Sequence, residues 1–210
     1  MGLIDQVAAR FHDEITSGRW PVGQRIPVEA ELVAAFGAGR NTVREALQSL
    51  VHAGLLSREQ GRGTFVISTS ELAGSLGRQL GGGTRQHYLE LRLALDSTAA
   101  PLAAVRRTEA DVVELRRLRD ERRASWSSDD ADRRASTDLA LHRAIVAATH
   151  NPLYLQLYAS MTEVFAGHMR DEAEHDAGHE HHHDLVEAIA DGEPERAAAL
   201  VEEIFRPFLR

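Results

Sequence analysis

The chain has 210 residues, 43% of them apolar and 27% charged, with a net charge of −8, which is enough for one large or two modest domains with packed cores. Without cysteine there is no disulfide framework, thiolate metal site or thiol nucleophile. No run of 18 apolar residues offers a membrane span, and the start, MGLIDQVAARFHDEI, lacks a basic region followed by an apolar core, so the cytoplasm is the expected location.

Residues 3–17 carry Ile4, Val7, Ala8, Phe11 and Ile15 at helical spacing, and Gly18 ends that helix. Turn chemistry follows at Arg19–Gly23, then an extended lead-in, Gln24–Pro27. Leu32, Val33 and Phe36 make the apolar stripe of a short helix, Gly37–Gly39 interrupts it, and Val43, Leu47 and Leu50 stripe the next. Two helices too short to stand alone, joined by a glycine turn, predict a helix-turn-helix. Arg40, Asn41, Thr42 and Arg44 cluster at the start of the second helix, where a recognition helix meets base edges and phosphates. The alternative is a surface helix with solvated arginines. Leu55–Glu59 and Thr64–Ile67 predict two strands, with Gln60, Gly61, Arg62 and Gly63 at the hairpin tip. The series reads as a winged helix-turn-helix over residues 1–68. A wing arginine between glycines suits a minor groove, although an ordinary glycine hairpin looks the same.

Charge divides the chain at this point. Residues 1–68 hold seven arginines and seven acids, whereas 69–210 hold 17 arginines and 25 acids. That asymmetry would present the neutral end to nucleic acid and keep the acidic remainder away. Residues 69–84 are rich in glycine and serine and read as a linker with a partly helical middle.

From Arg85 on the pattern is helical. A long helix carries Tyr88, Leu89, Leu91, Leu95, Leu102 and Val105, with a kink or break expected at Pro101. Thr108 caps a second, bearing Val112, Leu115 and Leu118. Further helices are expected at about 131–150, 152–174, 179–191 and 194–208. The fold class is therefore mainly α: a winged domain followed by an antiparallel helical bundle over 85–210.

Asp138 and His142 lie i, i+4 on a face continued by Ile145 and Thr149, and His182 lines up with Leu185 and Ile189, so all three point into the bundle. A carboxylate and imidazoles converging there suit a divalent metal. The alternatives are a local Asp138–His142 ion pair and a solvated run through His179, His181, His182 and His183. Arg92 and Asp96 make a similar i, i+4 pair. Such an arginine clamps an effector carboxylate in bidentate fashion, or simply pairs with its neighbour.

The succession Gly23-Gln24-Arg25-Ile26-Pro27, Glu29-Ala30-Glu31-Leu32, Arg40 through Leu47, Gly54-Leu55-Leu56 and Gly61 through Val66 resembles GntR-family transcription regulators of the FadR type. The bundle, through Arg92 to Asp96, Asp138 to His142, Asn151-Pro152-Leu153 and His182 to Gly192, resembles their FCD effector domain. The resemblance covers nearly the whole chain. It implies DNA contacts from Arg40, Asn41, Thr42, Arg44, Gln60, Gly61 and Arg62. It also implies a double-stranded operator as partner, a small carboxylate effector bound near Arg92, Asp138, His142 and His182, a homodimer, and no catalytic residues. Many FCD domains hold a metal with one aspartate and three histidines. Asp138, His142 and His182 match three of these, a zinc or nickel site being implied, but Ile204 stands near the position of the fourth; His179 is the candidate substitute. If metal itself were the effector, the chain would be a metal sensor. Two further departures are Ala38-Gly39, where the family has valine and a hydroxyl residue, and Ala30, where arginine is frequent.

Overall fold

Val7, Phe11 and Ile15 recur every four residues and all three are buried, so the first predicted helix folds with that stripe inward as α1 (Leu3–Thr16). Ile4, on the same stripe, remains 37% exposed at the helix start. The computed structural model describes residues 2–80, 82–127, 130–164 and 181–209. The chain divides into two compact units, Met1–Gly81 and Gly82–Arg210.

In the first unit, α2 (Glu29–Phe36) is only eight residues long and depends on tertiary contacts. Leu32 is buried, Phe36 meets the Phe11 ring edge-on at 4.8 Å, and Trp20 leans on Phe11 at 5.5 Å. Arg10 donates from Nη1 to the Phe36 carbonyl (3.0 Å), satisfying one of the acceptors a helix end leaves open. Next, α3 (Arg40–Ala53) buries Val43, Ala46, Leu47 and Leu50 and packs on α1. The wing is an antiparallel pair, β1 (Leu56–Glu59) and β2 (Gly63–Val66), in register from Leu56 opposite Val66 to Glu59 opposite Gly63. The lead-in lies beside β2, with Ile26 N–H donating to the Thr64 carbonyl and Val66 N–H to the Gln24 carbonyl. Gly63 has φ +120°, and a Cβ there would come within 2.7 Å of Arg25 Cδ, so the crossing of lead-in and wing requires glycine.

The stretch expected as a linker holds a ten-residue helix, α4 (Glu71–Leu80), against the end of α3. Backbones touch there, since a Cβ on Gly74 would sit 2.2 Å from the Gly54 carbonyl oxygen.

Among the described residues, the second unit holds α5 (Arg85–Arg106), α6 (Glu109–Ser125), α7 (Ala131–Ala147), α8 (Pro152–Val164), α9 (His181–Asp191), α10 (Pro194–Phe205) and a 3₁₀ turn. The long α5 packs on α7, α9 and α10 and forms the spine of the bundle. It runs unbroken through Pro101, contrary to the expected break. Proline removes one donor, and the fully buried Ala99, Ala100, Ala103 and Ala104 hold the turns on either side. Thr108 caps α6 by accepting from Asp111 N–H, while the Asp111 carboxylate accepts from Thr108 N–H and hydroxyl. Asp130 caps α7, and Asn151 accepts from the first N–H groups of α8. The second half of the helix expected to 174 lies outside the described residues, as does His179.

Candidate functional site

In the first unit, Arg40, Asn41 and Arg44 are exposed on one end of α3 and Thr42 is half-buried beside them. Gly39 stands at the N-cap in extended conformation and offers no side-chain cap, so the first N–H groups of α3 face outward with the helix dipole behind them. Arg44 Nη2 meets Glu29 Oε2 at 3.3 Å. At the wing, Gln60, Gly61 and Arg62 are exposed, with Arg62 paired to Glu59 and lying 5.5 Å over the Phe65 ring. Arg58 donates from Nη1 to Gln48 Oε1 (3.0 Å), joining β1 to α3. These exposed pairs are weak in water, and a phosphate competes with them readily.

In the second unit, Asp138 lies at the centre of a buried cluster. Its Oδ2 accepts from Arg92 Nη2 (2.8 Å) and its Oδ1 from Arg122 Nε (2.7 Å). Both guanidiniums are only 2% exposed. Arg92 also reaches Asp96 Oδ2 through Nε (3.3 Å) and lies over the Phe205 ring, while Arg122 stacks on Trp126 at 4.0 Å. Burial pushes the Asp138 carboxyl up, but Arg92, His142, Arg122 and His182 outweigh it and hold the group well below the usual carboxylate range. Two arginines and two aspartates balance one another, so the cluster is near neutral when both imidazoles are uncharged.

The predicted trio converges. Asp138 Oδ1 lies 3.5 Å from His182 Nε2 and 3.8 Å from His142 Nε2, and the two Nε2 atoms are 3.2 Å apart. These separations are what neighbouring ligands adopt around an ion with bonds of about 2.0–2.1 Å. The other edge of His142 supports the same reading. Its Nδ1 lies 3.2 Å from Asp96 Oδ2, the carboxylate–histidine pairing that fixes a ligating ring and turns its second nitrogen toward a metal. The donor set therefore fits a divalent cation. Near the expected fourth position, Ile204 is buried and the Phe205 ring faces His142 at 6.5 Å. In this region α10 contributes hydrocarbon rather than a ligand.

A simple Arg92–Asp96 or Asp138–His142 pair does not describe the geometry, because Asp138 binds two arginines and Asp96 supports His142. Arg122 was not among the residues singled out from the sequence, yet it lies four residues after Leu118 and seven after Leu115, at a core position of the α6 stripe. An arginine there was a legible signal. On the α8 side, Tyr158 is buried near Asp96, and burial together with that carboxylate holds its hydroxyl well above the ordinary tyrosine range. Tyr154 donates its hydroxyl to the Leu95 carbonyl, tying α8 to α5.

Comparison with known proteins gives two matches along the chain. Residues 3–66 match the family described as "Bacterial regulatory proteins, gntR family", and residues 87–206 match the FCD domain. The chain is 29% identical over 170 residues to a relative from Escherichia coli (strain K12) named for the L-lactate dehydrogenase operon, aligning over 77% of this chain and 64% of that protein's length. It is 27% identical to the galactonate operon transcriptional repressor of Escherichia coli (strain K12), over 93% of this chain and 91% of the repressor. Among solved structures, Streptococcus agalactiae GntR is similar over 99% of both chains, with a TM-score of 0.60 and 25% identity.

Proposed function

The chain belongs to the GntR family of bacterial regulatory proteins, as a member that carries an FCD domain, and from that premise we propose that it is a homodimeric, ligand-responsive repressor of the FadR type. Residues 1–68 read DNA, 69–84 connect, and 85–210 bind the effector and dimerise. The observation that carries the DNA reading is the exposed, cationic start of α3, uncapped by any side chain, on the same domain as a wing with an arginine at its tip. Arg40, Asn41, Thr42 and Arg44 enter the major groove, and Gln60, Gly61 and Arg62 track the minor groove or its phosphates. Engagement exchanges Glu29 for DNA at Arg44 and Glu59 for DNA at Arg62.

In the helical domain, Asp138, His142 and His182 hold a divalent metal such as zinc or nickel, with Asp96 orienting His142. A divalent ion held there would add two positive charges and would supply a Lewis acid for an anionic oxygen. Asp138, His142 and His182 would hold the ion, which would supply a cation for the carboxylate of a small organic acid, and Arg92 lies beside Asp138 to pair with that acid. Relatives named for lactate and galactonate operons accord with an acid effector. The acid favours one arrangement of the dimer over another, and operator affinity changes by that difference. The dimer forms through the apolar residues exposed on two linked helices, Leu91 and Val105 on α5 and Leu153 and Leu157 on α8.

Selection of genomic fragments by the purified protein tests the DNA reading. It should recover a pseudo-palindromic site bound with a steep salt dependence. Replacing Arg44 by alanine should cost about 1–3 kcal/mol at that site. Recovery of no fragment above bulk DNA would remove the regulator assignment.

A further inference from the structure

Arg122 neither ligates an ion nor pairs with an acid in the proposed function, yet its position is fixed at several points. It continues the Leu115 and Leu118 stripe of α6 into the bundle and is buried there. Ser125 Oγ donates to the Arg122 carbonyl (2.7 Å) and meets Thr137 Oγ1 (2.8 Å), which pins this turn of α6 against the residue preceding Asp138 on α7. The guanidinium lies over the Trp126 ring at 4.0 Å and donates from Nε to Asp138 Oδ1 at 2.7 Å.

That oxygen is the one a metal would need. Oδ1 faces His182 Nε2 at 3.5 Å and His142 Nε2 at 3.8 Å, whereas Oδ2 accepts from Arg92 Nη2 at 2.8 Å. Both oxygens of Asp138 therefore carry an arginine. A donor to a ligating carboxylate ordinarily orients it and strengthens metal binding. Arg92 does this through Oδ2, without touching the ligating atom. Arg122 sits on the ligating atom itself, and a divalent ion joining Oδ1 to the imidazoles shares that oxygen with a guanidinium. Like charges on one acceptor repel, and burial leaves the repulsion unscreened by water and salt. With Arg92 already orienting the carboxylate, the repulsion decides the sign of the Arg122 effect.

We infer that Arg122 is a built-in competitor for the metal site: its guanidinium holds Asp138 Oδ1 against a divalent ion, lowers the affinity for that ion, and shifts on its Trp126 stack as the ion binds. This rests on the proposal that Asp138, His142 and His182 hold the ion. The site then exchanges its ion instead of keeping it permanently, and binding is felt at the end of α6.

The test is the zinc affinity of the full chain, measured by competition with a chromophoric chelator, for wild type, Arg122→Met and Arg122→Lys. Methionine keeps a long side chain against Trp126 and removes the charge and the donor. It should bind zinc about tenfold or more tighter than wild type, within the range over which groups beside the ligands tune metal sites. Lysine restores the charge and should return the affinity toward the wild-type value. Should the methionine variant fail to fold, Arg122→Gln, which keeps a donor without the charge, is read in its place. Fluorescence gives a second readout: in Trp20→Phe protein, where Trp126 is the remaining tryptophan, zinc should change the emission when Arg122 is present and leave it unchanged when Arg122 is methionine. An arginine with a structural role alone would lower the melting temperature on replacement without tightening zinc. Zinc affinity unchanged or weaker in Arg122→Met would therefore overturn the inference and leave the metal proposal standing. Zinc binding by neither wild type nor Arg122→Met would overturn the metal proposal, and the inference with it.

Discussion

Replacing Asp138 by asparagine examines the buried cluster with almost no change in size. The carboxylate accepts from Arg92 at 2.8 Å and from Arg122 at 2.7 Å, and both guanidiniums are 2% exposed. Asparagine retains one acceptor and turns an N–H₂ toward a cation, so at least one charge-assisted bond is lost. Arg92 keeps Asp96 at 3.3 Å and Arg122 keeps its stack on Trp126 at 4.0 Å, so the loss is that of the Asp138 carboxylate itself. Removing one partner of a buried pair costs about 3–5 kcal/mol, because a charge is left in low dielectric. For a unit of this size each kcal/mol moves the midpoint by roughly 3–5 °C, so the helical unit should melt about 10–20 °C lower. Calorimetry on chelator-treated protein isolates this effect from any metal. Wild-type protein should then gain a further upward shift on adding zinc, which the variant lacks. A change below about 3 °C in the metal-free protein would refute the claim that Asp138 anchors both arginines.

Three other outcomes follow from particular contacts. At Asp111, burial pushes the carboxyl up, but hydrogen bonds from Thr108 N–H and hydroxyl and the contact with His150 outweigh it and hold the group below its ordinary value. Its contribution is therefore present above an unfolded value of about 3.9 and is lost as pH falls through the lower folded value. Asp111→Asn should cost about 1 kcal/mol near neutrality, and urea titrations should show the gap to wild type narrowing only below about pH 4. Gly39 has extended backbone, and a Cβ there meets nothing nearer than Thr42 Oγ1 at 3.9 Å. Gly39→Ser should therefore raise stability by a few tenths of a kcal/mol or more and tighten operator binding in a gel titration; weaker binding would count against phosphate at that helix end. Leu153→Asp combined with Leu157→Asp should yield a folded monomer by light scattering, and a persistent dimer would move the subunit contact elsewhere.

Much of this architecture was legible because periodicity and punctuation agree. The stripes of α1 and α3, Gly37, and the Gly61–Gly63 tip give the winged domain directly. Asp138, His142 and His182 were legible for the same reason, each lying on an apolar helix face. What periodicity does not carry is which faces meet. Asp96 was assigned to Arg92 by spacing, but its contact with His142 depends on how α5 packs on α7. Arg122 carried a signal of its own, an arginine on the α6 stripe, whose target sits on another helix. The stretch 69–84 reads as a linker with only a partly helical middle because its glycines lower propensity; Gly74 is there because the Gly54 backbone leaves no room for a Cβ. Pro101 marks a break that the buried alanines around it override.

The central claim is that an acid held in the helical domain changes how strongly the winged domain holds DNA. The direct measurement is operator affinity of zinc-loaded protein at fixed salt, with and without a saturating small organic acid, for wild type and Asp138→Asn. The account predicts a change of about tenfold, corresponding to roughly 1.4 kcal/mol of coupling, in wild type and none in the variant. An operator affinity that stays constant while calorimetry shows the acid bound would contradict it.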